Sequence, residues 1–283
     1  MTSSGWLVEE PRSVGPLDKF LKELMCPPQP TLAGFDFPIG IPAEYARKTN
    51  ISCFTEALER FGAGEWADFY RVCDRKDEIS LYRPFYPRVS SKERKPVHLL
   101  TALGVSDMDM LRRGCERQTK TRKAACSLFW TLGGNQVGRA AISGWRDVVH
   151  PAKTVGALLW PFDGSLSALS ESRRLVICET YPAEAYGQIG LRFPPGASKR
   201  RQSDRRGAAP VLFGWASRNG VSFSGGMRNT IVEGFGSGAS GEDQFDAALG
   251  LFGMIEVVDG RRPAAPESIG AINCEGWILG QAA

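Results

Sequence analysis

Residues 32–40 read LAGFDFPIG, and near the end of this apolar run stands a carboxylate, Asp36. A short apolar stretch of this kind crosses the middle of a sheet. An unpaired charge buried there costs on the order of several kcal/mol or is forced to neutralise. Two arrangements reconcile the acid with the strand. Asp36 either sits just past the buried segment and caps the turn that Pro38 and Gly40 announce, or it stands at a strand end as one member of a functional cluster. Residues 173–182, RRLVICETYP, repeat the pattern: the apolar run Leu175 to Cys178, then Glu179, then a proline. If both runs are parallel strands, each delivers its carboxylate at the carboxyl end, where open α/β sheets place their sites.

Working outward, residues 6–9 suit a short strand. Residues 17–24, LDKFLKEL, put Leu17, Phe20, Leu21 and Leu24 on one helical face, and the prolines at 27, 28 and 30 end that helix. Strand, helix and strand in this order predict a parallel or mixed sheet. Residues 43–170 are rich in arginine and aromatic residues and are interrupted by Pro84, Pro87, Pro96, Pro151 and Pro161, which reads as a mostly helical insertion. Within it, SLFWTLGGNQVGRAAISGW (127–145) carries glycines at 133, 134 and 138. Without a Lys-Ser/Thr ending or a clear preceding strand, these favour a packing turn over a phosphate-cradling loop.

Residues 194–241, rich in Gly, Ser and Arg, read as loops. From Glu242 onward Phe245, Ala248, Leu249, Phe252 and Ile255 share one helical face, with Ser240 or Gly241 as its cap. Asp243 and Asp246 then lie one turn apart at the helix start. They either serve one site or complement the positive end of the helix dipole.

The chain has 283 residues, 42% hydrophobic and 23% charged, the composition of a soluble globular protein able to bury a sizeable core. Its 35 Lys and Arg against 31 Asp and Glu leave a formal charge of +4, too mild to imply a nucleic-acid partner without local clustering. Seven scattered cysteines with no Cys-x-x-Cys pair argue against a zinc ribbon or a disulfide scaffold. With no secretory leader and no apolar run of membrane-spanning length, a cytoplasmic location and no membrane partner are expected. His98 and His150 are too few for a histidine-built metal centre, so hard oxygen ligands would hold any ion.

Asp36, Glu179, Asp243 and Asp246 form the candidate set. Crowded together, these carboxylates would raise one another's pKa unless a dication neutralised them. Mg²⁺ or Mn²⁺ suits such an all-oxygen site. Either ion can activate a water and stabilise the leaving oxygen in phosphodiester hydrolysis.

These residues resemble the predicted nucleases grouped as domain of unknown function 429. The likeness rests on FDFPIGIP (35–42), SLFWTLGGNQVGRAAISG (127–144), WPFDG (160–164), CETYPAEAY (178–186), SKR (198–200), DQFDAALGLF (243–252) and EGWIL (275–279). The resemblance implies one α/β domain over residues 1–283. It would have a ribonuclease-H-like mixed sheet flanked by helices, with 43–170 inserted. It implies Asp36, Glu179, Asp243 and Asp246 as catalytic, metal-binding acids for Mg²⁺ or Mn²⁺, and Lys199 and Arg200 as contacts to substrate phosphate. In this fold the leading metal-binding Asp lies on the first strand, whereas no Asp precedes Asp18 and GWLVEE (5–10) resembles the second strand. The acid-bearing strand is therefore expected to be missing, either because the true start lies upstream or because the site has degenerated.

Two basic stretches bear on partners: SKRRQSDRR (198–206), with five basic residues and one acid, and RRGCERQTKTRK (112–123), with six and one. Each either clamps a phosphate backbone, with steep salt dependence, or forms a solvated face. Trp66, Trp130, Trp145 and Trp215 suit base stacking or, more simply, core packing. The expected function is metal-dependent nuclease activity, weak or absent in this exact chain. Its alternative is a non-catalytic module of the same fold that binds nucleic acid or another phosphate ester.

Overall fold

Both apolar runs that end in an acid are strands. The computed structural model describes residues 5–26, 29–120, 122–132, 136–266 and 272–282. Its strands are β1 (Leu7–Val8), β2 (Thr31–Phe35), β3 (Leu158–Leu159), β4 (Leu175–Glu179) and β5 (Ser222–Phe223). The architecture is mixed α/β, and the chain gathers into two compact units. The larger comprises Pro16–Glu179 and Ala264–Ala283, the smaller Met1–Gly15 and Thr180–Pro263.

In the larger unit β2, β4 and β3 form a parallel sheet in the order β2-β4-β3. The register runs from Thr31 opposite Leu175 to Phe35 opposite Glu179. Every residue of β4 is buried, as a central strand covered on both faces requires. The helix Leu17–Met25 forms where the apolar spacing predicts it and buries Leu21.

Residues 43–170 are not mostly helical. Short helices at Ala43–Lys48, Phe54–Arg60 and Pro96–Leu103, the last stopped by Gly104 in left-handed backbone, alternate with long irregular backbone and single 3-10 turns, and the longest helical run is Val137–Gly144 continued through a π turn to Thr154. The segment also supplies β3 and most of the core. Tyr45, Phe54, Phe61, Trp66, Phe69, Phe85, Phe129 and Trp145 are buried in the same cluster as Leu175 and Ile177 of β4. The Phe61 and Phe69 rings stack with centroids 3.7 Å apart. Such pairs contribute about 0.5–1.5 kcal/mol beyond the area they bury. Gly133 and Gly134 lie outside the described residues. Gly138, the second residue of its helix, packs against Leu128 and Thr131, where an added Cβ would fall 2.4 Å from the Leu128 carbonyl oxygen.

In the smaller unit β1 and β5 pair in parallel, Leu7 opposite Ser222 and Val8 opposite Phe223. The expectation of loops over 194–241 is overturned. Helices occupy Gln202–Gly207, Ala209–Arg218 and Gly225–Glu233. Buried Leu212, Trp215, Met227 and Ile231 hold them to one core, and packing of these few apolar residues outweighs a composition unfavourable to helix. The last long helix, Gly238–Val258, buries Phe245, Ala248, Leu249, Phe252 and Ile255 as its spacing predicts. It begins before Glu242, so Asp243 and Asp246 lie beyond its first turn, where the helix dipole no longer accounts for them. Among the described residues no helix is long and apolar enough to cross a membrane.

Candidate functional site

Asp36 follows directly on Phe35, the residue paired with Glu179, so the larger unit sets the two acids at the ends of adjacent strands. Their environments differ sharply. Asp36 is exposed at the bend before Pro38, whereas Glu179 is buried. Past the bend Ile39, Gly40 and Ile41 turn inward, and the Ile39 N–H donates to Glu179 Oε2 at 2.7 Å. The inward turn requires a glycine. Gly40 has φ +131, and a Cβ there would fall 2.2 Å from the Glu275 carbonyl oxygen.

Glu179 is neutralised from within. Arg113 Nη1 donates to Oε2 at 2.6 Å and Nη2 to Oε1 at 2.7 Å. The same guanidinium is wholly buried. Its Nε donates to Glu116 Oε1 at 2.9 Å, and Nη1 also reaches the Ile39 carbonyl at 3.0 Å. Glu116 Oε2 accepts the Arg113 backbone N–H, which ties both residues to one 3-10 turn. Glu275 completes the group, its oxygens accepting the N–H groups of Ala43 at 2.9 Å and Gly114 at 3.1 Å. Burial pushes the Glu179 carboxyl above its ordinary pKa, while Arg113 and the Ile39 N–H pull it down. The bidentate geometry is that of an ionised pair.

The smaller unit holds a second cluster. Tyr186 donates its hydroxyl to Asp246 Oδ1 at 2.6 Å. Lys199 Nζ pairs with Asp246 Oδ2 and lies 3.3 Å from Glu242 Oε1. Burial opposes the Lys199 ammonium, yet Asp246 and Glu242 hold its pKa above the ordinary lysine value. Asp243, between them on the same helix, is exposed. The acids that share a partner on this helix are therefore Glu242 and Asp246, four residues apart and on one face, and not Asp243 with Asp246.

The basic stretches are largely spent on the protein itself. Arg205 is wholly buried, giving Nε to the Gly234 carbonyl at 2.9 Å and Nη2 to that of Gly236 at 2.6 Å. Arg201 pairs with Asp204 at 2.6 Å, and Lys199 is engaged as above. Arg200 is exposed. In the second stretch Arg113 is buried and Arg112 binds the Ala125 carbonyl at 2.7 Å, whereas Arg117, Lys120 and Lys123 are exposed. Trp66, Trp145 and Trp215 are core residues.

Arg113, Glu116, Glu242 and Glu275 were not singled out by sequence reasoning. The four-residue spacing of Glu242 and Asp246 was a usable signal. For Arg113 the only local sign was Glu116 three positions on. Among the described residues no three His, Cys, Asp or Glu side chains are grouped to hold a metal ion. Glu179 already accepts three N–H donors, which leaves its carboxylate little room to ligate a hard dication. No protein-family profile, curated protein or solved structure matches the chain.

Proposed function

We propose that the chain is a non-catalytic module on a ribonuclease-H-like framework that binds nucleic acid or another phosphate ester. One observation carries this reading: the buried acid at the end of β4 is neutralised by Arg113, so the charge a metal would supply is part of the chain. The parallel strands with acids at their carboxyl ends support the framework. Binding then falls to the exposed cations Arg117, Lys120, Lys123 and Arg200.

Each phosphate neutralised contributes about 0.7–0.9 to the slope of log K against log salt. The test is binding of labelled single-stranded, duplex and hybrid nucleic acids over a salt series. The expected result is salt-sensitive binding whose slope falls by about 1–2 in the Lys120→Ala, Lys123→Ala double variant. Retention unaffected by salt and by both substitutions would end this reading.

The strand register favours a second reading, metal-dependent phosphodiester hydrolysis, because it sets Asp36 beside the end of β4. Cleavage in Mg²⁺ or Mn²⁺ that is lost in Asp36→Ala would put it first.

A further inference from the structure

A cleft of about 370 Å³ opens in the larger unit between Phe61, Gly62, Ala67, Tyr70, Arg146 and His150. That volume lies in the range of small-ligand sites. Two of its walls are aromatic. The Phe61 and Tyr70 rings stand at 85° with centroids 6.3 Å apart, forming a right-angled corner. Phe61 is held from behind by stacking on Phe69 at 3.7 Å and on Trp145 at 6.3 Å, so this wall is fixed by the core. Gly62 has φ +91, and a Cβ there would meet the Tyr70 ring at 3.4 Å.

The polar side of the cleft comes from the π-helical turn Trp145–Val149 and the residue after it. Such turns are rare and concentrate at functional sites. Arg146 uses Nε and Nη2 on its neighbour Asp147, at 2.7 and 2.8 Å, in a solvent-exposed pair of the kind that contributes little. Its Nη1 has no partner among the described residues, and neither has the His150 ring. The Tyr70 hydroxyl is closed to bulk water and also lacks a hydrogen-bond partner there. Burial pushes its pKa up, so it remains a donor at physiological pH. Two donors without protein partners among the described residues, Arg146 Nη1 and the His150 ring, therefore line an aromatic corner. A neutral apolar ligand would use neither.

We propose that this cleft binds a small aromatic carboxylate, its ring in the corner of Phe61 and Tyr70 and its anionic group on Arg146 and His150. The site stands apart from the phosphate-ester reading and survives or fails without it.

The test is calorimetric and ligand-observed NMR titration of the full chain with 2-naphthoate and with the neutral 2-naphthamide. Ala67→Phe, which fills the cleft from its exposed rim, and Arg146→Ala are the variants. Both side chains are exposed, so the core is untouched, and circular dichroism checks each fold. Saturable 2-naphthoate binding is expected, weakened about tenfold or more by either substitution and by replacing the carboxylate with the amide. The proposal is overturned by no saturable binding up to about 10 mM, by binding indifferent to both substitutions, or by equal affinity for the amide.

Discussion

Arg113 and Glu179 meet through two parallel hydrogen bonds of 2.6 and 2.7 Å, with the guanidinium wholly buried. The pair explains how a carboxylate can end the most buried strand of the sheet. Removing one partner strands the other charge in a low-dielectric interior, which costs far more than the pair contributes when intact. Arg113→Met is therefore expected to lower unfolding free energy by about 3–5 kcal/mol. The double variant Arg113→Met, Glu179→Met should recover part of that loss. Urea denaturation of the three proteins checks it, and a single-variant cost below about 1 kcal/mol would show that the pair is dispensable.

Gly40 lets the chain after Asp36 turn inward against the Glu275 backbone. Gly40→Ala combines a positive φ with a Cβ lodged against a carbonyl oxygen, and neither contact partner is a flexible side chain. A loss of about 2–3 kcal/mol or more is expected, readable as a fall in the thermal midpoint. An unchanged midpoint would mean that this segment rearranges freely.

Tyr70 carries a sheltered hydroxyl without a partner. Replacing Tyr70 with Phe removes an unmet polar group and leaves the ring packing in place. Stability should stay level or rise by about 1–3 kcal/mol. A clear drop in a denaturant titration would reveal a partner for that oxygen.

Lys199 is held by Asp246 and Glu242 with its pKa above the ordinary 10.5. The folded state therefore binds this proton more tightly than the unfolded state. The stabilisation is complete below 10.5 and is lost as pH rises through the raised value. Lys199→Met should cost about 1 kcal/mol at pH 8, and the gap from the parent protein should close as pH rises through the raised lysine value. A gap that persists at high pH would assign the loss to packing of the lysine stem.

Mg²⁺ or Mn²⁺ at millimolar concentration should leave the thermal midpoint unchanged, since a ligand that binds only the folded state raises it. A saturable rise that disappears in Asp36→Ala would instead mark a metal site and return the hydrolytic reading to first place.

Local periodicity made much of the framework readable in advance. The apolar runs at 32–35 and 175–178 are β2 and β4, and the face from Phe245 to Ile255 is buried on a helix, because a strand or a helix face is written in residues two, three or four apart. The acid that closes each apolar run, Asp36 just past β2 and Glu179 at the end of β4, was equally visible. Composition misled over residues 194–241, where Leu212, Trp215, Met227 and Ile231 are few yet lie on faces that pack. Over the basic stretches, counting charges does not say which guanidinium faces water and which, like Arg205, satisfies backbone carbonyls inside. Which cation meets which acid was settled only in three dimensions. Arg113 reaches Glu179 across 66 positions and Lys199 reaches Asp246 across 47. Folding selects such partners by the cost of leaving a charge unmatched in a particular buried space, and that space exists only once remote segments have packed around it.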